Sequence, residues 1–353
     1  MKGLVLSGGF GTRLRPLTYS QQKQLIPVAN KPILFYAIED IIEAGVSEIG
    51  IIVGPNRDLV EKAVKSREWD ADIQFIYQDS PRGLAHTVLI SEEFIGGEPF
   101  VMYLGDNLLC DGIVDHANSF KSSGADASIL LTEVSHPERF GVAELNECGE
   151  VVKLVEKPKV PPSNLALVGV YLFQPVIFEA VKNIRPSWRN ELEITDAIQW
   201  LVEKGYHVKA SVVKGWWKDT GMPEDILSAN NLILDELEAS CSGDVADGSA
   251  VQGRVSIGQG TVLEEGSVVR GPVIIGRGCK ISNSYIGPYT SIGDGCVVID
   301  SEIEGSIVMD GTKINVRQKI VDSLIGANVN ISESCKKPKG YRFVVGDNSE
   351  VQV

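Results

Sequence analysis

Short apolar runs alternate with amphipathic segments along the first hundred residues. Leu4-Val5-Leu6 ends in Ser7 and three glycines, Gly8, Gly9 and Gly11. Ile33 to Ala44 carries apolar residues at 33, 34, 37, 38, 41 and 42, one face of a helix. Pro32 suits its first turn and Gly45 its end. Strand Glu48 to Val53, a polar helix from Arg57, strand Ile73 to Tyr77 and a helix from Leu84 follow. Strand Phe100 to Leu104 then stops at Gly105-Asp106-Asn107. This alternation predicts an α/β fold with a doubly wound, Rossmann-like mixed sheet. Ligands of such sheets lie beyond the carboxyl ends of strands, where the glycine loop and Asp106 both fall.

From about residue 128 the pattern changes. Ser128 to Glu133, Gly141 to Leu145 and Glu150 to Glu156 read as short strands, with Glu147-Cys148-Gly149 as a hairpin turn. Strand Leu165 to Phe173, helices over 175–183 and 195–204 (the second capped by Thr195) and strand Val208 to Val213 come next. Trp216 to Gly221 reads as a loop before a helix from Pro223 to about Leu237. This half is expected to be a subdomain folded over the first.

Beyond Ser240 an aliphatic residue recurs every sixth position: Ile257, Leu263, Val269, Ile275, Ile281. The register slips to Ile286, resumes at Ile292 and Val298, and breaks before Val308, Ile314, Ile320, Ile325 and Ile331. Thr261, Ser267, Cys279, Ser284, Thr290 and Cys296 stand two positions before such residues. A hexapeptide repeat of this kind predicts stacked coils of a parallel β-helix, with Cys279 and Cys296 filling small inward positions. The expected division is therefore 1–239 and 240–353.

The formal charge of −14 on 353 residues argues against a nucleic-acid partner, whose binder should be basic. Local cations can still reverse the field in one cleft. Six scattered cysteines form no CxxC or zinc spacing, and no run approaches membrane-spanning length. A reduced, cytoplasmic protein without membrane partners is expected.

The glycine loop can bring several N–H groups onto an anion, and Arg13 adds a planar cation suited to phosphate. It lacks the Gly-Lys-Ser/Thr of a P-loop, and Leu14 stands where a dinucleotide fingerprint needs a small residue. The full stretch GGFGTRLRPLT, followed by KQLIPVANKP at Lys23 to Pro32, resembles the signature of sugar-1-phosphate nucleotidylyltransferases. The Lys-Gln-Leu variant is similar to the thymidylyltransferase branch in its long form, and the match covers about the first 230 residues. The resemblance makes the β-helix left-handed and implies that dTTP and α-D-glucose 1-phosphate give dTDP-glucose and pyrophosphate.

It also assigns roles. Gly8, Gly9, Gly11, Thr12, Arg13 and Lys23 would hold the triphosphate, and Arg13, Lys23 and Lys157 would carry catalysis. Asp106 and Asp219 would bind Mg2+, which accepts one or two carboxylates and keeps phosphate and water as its other ligands. Gln78 and the backbone at Gly83 would read thymine, and Gln24 the deoxyribose. Glu156 of the Glu-Lys-Pro triplet would accept from glucose hydroxyls and Lys157 would hold its phosphate, with Arg189 as a second cation. Gly141 and Val168 would contribute backbone contacts. Phe140 replaces a usual tyrosine, and His86 a commoner glutamine whose effect is expected beyond direct contact.

Alternatives remain open: a UTP- or GTP-dependent relative, an acetyltransferase in the repeat, or a non-catalytic exchange-factor-like subunit. The acetyltransferase reading lacks a histidine beyond His207. The non-catalytic reading is opposed by the presence of Arg13, Lys23, Asp106, Lys157 and Asp219. The repeat is expected to mediate a homo-oligomer, with 333–339 and Tyr341-Arg342-Phe343 capping its last coil.

Overall fold

The computed structural model describes residues 1–9 and 11–333 and divides into two compact units, Met1–Ile233 and a second beginning at Leu234. Apart from Glu333, the expected cap lies outside the described residues.

The first unit is built on a nine-stranded mixed sheet. Lys2–Ser7 sits in its middle, parallel to Glu48–Val53 on one side and Phe100–Leu104 on the other. Asp72–Tyr77 forms one edge. The central strands are apolar on both faces because helices cover both. Leu4, Leu6 and Met102 enter one core, while Val5, Val101 and Tyr103 enter the other with Leu34, Ile38 and Ile41 of helix Ile33–Glu43.

Half-buried Asp40 borders that second core. The Tyr103 hydroxyl donates to Asp40 Oδ2 at 2.8 Å, and burial, opposed by this bond, pushes Asp40 up to about 6. The folded chain thus binds this proton more tightly than the unfolded chain. Its contribution to stability is greatest in acid and is lost as pH rises through about 6. Asp40→Asn is expected to gain up to about 2 kcal/mol over the wild type above neutrality and almost nothing in acid. Urea unfolding across that range checks this, and an offset that does not vary with pH would refute it.

The later strands do not make a separate subdomain. Leu165–Phe173 pairs antiparallel with Phe100–Leu104, so the same sheet continues through Gly141–Leu145 to Val151–Glu156. Ala127–Glu133 and Val208–Val212 complete it. Leu165–Phe173 is irregular between Leu167 and Tyr171, and Gly169 there has φ +85°. A Cβ on Gly169 would lie 2.9 Å from Leu104 and 3.1 Å from the Asn107 amide, so glycine lets this strand approach the end of its neighbour.

Two local expectations are corrected. The 216–221 segment contains a strand, Trp217–Asp219, pairing antiparallel with Asn107–Leu109 so that Asp219 faces Asn107. Three residues are too few for periodicity to reveal, and only the partner stabilises them. Helix Ile194–Glu203 is preceded by Glu193, so Thr195 lies in its first turn and donates to Glu156 Oε2 at 3.4 Å.

In the second unit the described strands form three parallel sheets, the faces of a left-handed parallel β-helix. One face stacks Ile257, Ile275, Ile292, Val308 and Ile325. The expected break before Val308 is filled by Ile303, fully buried on the third face. Two five-residue steps replace a six and a four, which a fixed period overlooks. Cys279 and Cys296 are buried and donate to the carbonyls of Gly293 and Met309 on the following coil.

Candidate active site

The glycine loop leaves the carboxyl end of the central strand and is held from beneath by Gln22. This buried amide donates to the carbonyls of Ser7 (3.0 Å) and Gly9 (2.6 Å) and to Gln24 Oε1 (3.1 Å). Thr18 Oγ1 donates to the Gly11 carbonyl, and Gly11 adopts φ +59°. These bonds tie down the carbonyls of Ser7, Gly9 and Gly11. Sequence reasoning passed over Gln22, since nothing in its neighbours distinguishes it from Gln21.

Four charged groups meet beside this loop. Lys23 Nζ donates to Asp106 Oδ2 at 2.5 Å and lies 3.7 Å from Asp219 Oδ1. Asp106 closes its strand and Asp219 arrives through the short antiparallel pairing. Thr220 locks the junction by donating both its N–H (3.1 Å) and its hydroxyl (2.8 Å) to the Asp106 carbonyl. The Arg13 guanidinium and an Asp219 oxygen both border Gly221, whose Cβ would lie 3.4 and 3.2 Å from them.

Burial opposes the Lys23 charge, yet Asp106 and Asp219 outweigh it and hold the ammonium above its ordinary range. Burial also opposes ionisation of Asp106, but Lys23 holds that carboxyl below its usual value. Asp219 goes the other way, raised by burial and then by repulsion from Asp106. Two hard oxygen donors that repel each other beside one ammonium suit a further cation, and their number matches what magnesium takes from a protein.

Two cavities of about 220 and 200 Å3 share Asp106 in their walls. The first takes Gly8, Gly9, Gln24, Gln78 and Gly83 of the expected nucleotide set, and adds Glu191. Gly83 has φ +98°, and a Cβ there would come within 2.3 Å of the Leu192 carbonyl oxygen. Gln78 and His86 are in direct contact, Nε2 to Nδ1 at 2.9 Å. His86 therefore touches an expected base-reading residue and is not among the residues lining that cavity.

The second cavity is lined by Arg13, Phe140, Gly141, Glu156, Lys157 and Asp219, among others. Lys157 has φ +41° and closes the turn after its strand, its N–H donating to the Phe140 carbonyl. The Phe140 ring stacks edge-on against Trp217 at 5.5 Å. Burial, then repulsion from Glu193, raises Glu156. Arg189 contacts Glu156 and Glu193 at 3.4 Å and Glu191 at 3.0 Å, so these carboxylates neutralise it in this conformation. Val168 buries its side chain, while its neighbours Leu167 and Gly169 line the wall. Among the described residues no group of three or more His, Cys, Asp or Glu could hold a metal, so a metal here would rest on two aspartates.

A loop built for anions, a cation flanked by carboxylates and two cavities that meet there define an enzyme of phosphoryl-group chemistry. The chain belongs to the nucleotidyl transferase family, which matches residues 2–236 and generally uses a divalent metal ion. It is 48% identical over 354 residues to the glucose-1-phosphate thymidylyltransferase of Streptomyces griseus, covering 100% of this chain and 99% of that protein. It is also 48% identical over 357 residues to the low-salt glycan biosynthesis nucleotidyltransferase of Haloferax volcanii, covering 100% of both chains. Among solved structures, a UDP-glucose pyrophosphorylase complexed with UDP-glucose superposes with a TM-score of 0.61 at 28% identity. That match covers 67% of this chain and 98% of the other. No helix among the described residues is long and apolar enough to cross a membrane.

Proposed function

We propose that the protein joins dTTP and α-D-glucose 1-phosphate to give dTDP-glucose and pyrophosphate. The observation that carries this reading is that Asp106, bonded to Lys23, belongs to the walls of both cavities. The names of full-length relatives support the choice of substrates. A sugar-phosphate oxygen attacks the α-phosphorus, the bond from that phosphorus to the bridging oxygen breaks, and pyrophosphate departs with the electron pair. The nucleophile is already anionic, so no general base is needed, and the catalytic task is to bring two anions together.

On this reading the backbone N–H groups of Gly8, Gly9 and Gly11, with Thr12, cradle the triphosphate, and Arg13 and Lys23 offset its charge. Gln24 contacts the deoxyribose, while Gln78 and Gly83 read the base. In the second cavity Glu156 accepts from sugar hydroxyls, Gly141 and Val168 offer backbone groups, and Lys157 holds the phosphate. Arg189 joins Lys157 when a phosphate outcompetes its carboxylates. Asp106 and Asp219 would hold Mg2+, which would stabilise the charge building on the α-phosphate oxygens. The same reading makes this a cytoplasmic enzyme that assembles as a homo-oligomer through its repeat unit.

Pyrophosphate release, measured for each nucleoside triphosphate against glucose, N-acetylglucosamine and mannose 1-phosphates, tests the proposal. Preference for another pair would replace it. A narrower test follows from Gln24, whose amide is bonded to Gln22 beneath the loop. Gln24→Pro should raise the KM for dTTP about tenfold, the scale of one lost polar contact, with little change for glucose 1-phosphate. Equal losses for both would make Gln24 a support of the loop.

A further inference from the structure

The mechanism above leaves the contact between Gln78 and His86 unused. Both side chains are buried, and both backbones are anchored. The Gln78 N–H bonds the Val53 carbonyl, and His86 lies in helix Leu84–Ile90. Gln78 Nε2 stands 2.9 Å from His86 Nδ1, while Oε1 is turned toward Gly8, whose Cβ would lie 3.3 Å away. Gln78 itself lines the first cavity.

A primary amide carries two N–H bonds, one on the side of its carbonyl and one opposite. Using one toward an imidazole nitrogen leaves the carbonyl and the other N–H as a paired acceptor and donor. We propose that His86 fixes the polarity of the Gln78 amide, and that this selects an imide base edge, thymine or uracil, against cytosine. The inference rests on reading the first cavity as the nucleotide site.

The reason is chemical. An imide presents an N–H donor beside a carbonyl acceptor, which an amide matches with its carbonyl and N–H. Cytosine presents the reverse, a ring-nitrogen acceptor beside an amino donor. A glutamine with no fixed neighbour serves either base by turning its amide over, which exchanges oxygen and nitrogen at little cost in packing. An imidazole that carries its proton on Nε2 opposes that exchange. It accepts from an N–H, whereas a carbonyl turned toward it loses the hydrogen bond and meets lone-pair repulsion. His86 therefore acts through Gln78, as a positioning residue.

The surroundings keep the imidazole neutral, so one ring nitrogen can accept, and the proposal places the proton on Nε2 and the acceptor at Nδ1. Burial, and then the Arg82 cation, hold the His86 imidazole below its ordinary range, with Asp79 opposing them. Arg82 and Asp79 are themselves paired at 2.7 Å. In acid the imidazolium would donate from Nδ1 and favour the opposite amide orientation.

Steady-state kinetics with dTTP, UTP and dCTP, at saturating glucose 1-phosphate, test this on the full chain and on His86→Leu and His86→Gln. The glutamine variant retains a hydrogen-bonding side chain but one that can itself turn over, so it separates polarity from packing. Both variants should lower the kcat/KM ratio of dTTP to dCTP about tenfold, the scale of one hydrogen bond, through the nucleotide KM. The wild-type ratio should fall as His86 protonates, while the variants stay flat with pH. Nitrogen NMR of labelled His86 at neutral pH should show Nδ1 unprotonated. An unchanged ratio in both variants, or a protonated Nδ1, overturns the proposal. Pyrophosphate release from neither dTTP nor UTP would instead overturn the nucleotide reading beneath it.

Discussion

Asp106→Asn and Asp219→Asn should each lower turnover by about two orders of magnitude or more, the usual scale for losing one electrostatic contact to a transition state. Neither change should unfold the protein. The two segments that carry these residues are held by backbone pairing of Trp217–Asp219 with Asn107–Leu109 and by Thr220 on the Asp106 carbonyl. An amide of equal size leaves those bonds in place.

The two variants should nevertheless differ in stability. Asp106 supplies the 2.5 Å partner of buried Lys23, and removing that charge leaves an ammonium with one more distant carboxylate. Asp106→Asn should therefore destabilise the fold near neutrality, by about 1–3 kcal/mol. Asp219 is raised by burial and by Asp106, so its ionised form is unfavourable in the folded chain. Asp219→Asn should be neutral or slightly stabilising above the usual carboxylate range. Turnover at saturating magnesium, read beside thermal melts, separates these effects. Near-normal turnover in either variant would remove that residue from the proposed metal site.

Gly83→Ala is the second change with a large expected effect. Its φ of +98° is unfavourable for alanine, and the added methyl would stand 2.3 Å from the Leu192 oxygen and 2.6 Å from the Leu192 nitrogen. Backbone cannot turn aside as a side chain can, so the loop must move. Two bonds then break together, Ala85 N–H to the Leu192 carbonyl and Leu192 N–H to the Arg82 carbonyl. Leu192 follows Glu191, which lines the first cavity and pairs with Arg189. The nucleotide KM should rise tenfold or more, and strain of about 1–3 kcal/mol should lower the melting temperature by several degrees. Gly45→Ala is the control, with φ +78° and no atom within 4 Å of its Cβ. It shares the backbone strain without the collision, so it should lose stability alone. Matching kinetic losses in both variants would refute a specific role for the Gly83 loop.

Most of the first unit was legible in the order of residues because its strands are long and helices cover both faces. Glu48–Val53, Phe100–Leu104, Gly141–Leu145 and Leu165–Phe173 occupy their expected spans. The repeat was legible for the same reason, since each coil must bury an aliphatic residue at nearly fixed spacing. The glycine loop and its Lys-Gln-Leu continuation pointed to the phosphate chemistry through their resemblance to sugar-1-phosphate nucleotidylyltransferases, since a glycine loop alone also serves as an ordinary turn.

What sequence left open depended on contacts between distant segments. Trp217–Asp219 is too short to be a strand until Asn107–Leu109 pairs with it, and that pairing brings Asp219 beside Lys23 and Asp106. The antiparallel junction of Leu165–Phe173 with Phe100–Leu104 turns an expected subdomain into a continuation of one sheet. Gln22 and His86 gain their roles from the carbonyls and the amide they touch, and those atoms lie far from them along the chain or across a turn. Periodicity records which face of an element is buried, whereas a hydrogen bond between side chains depends on where two backbones meet. Residue order therefore determined the longer elements and the coils, and carried the signature of the glycine loop. Tertiary structure alone decided which aspartate meets which lysine, and which way a glutamine amide must turn.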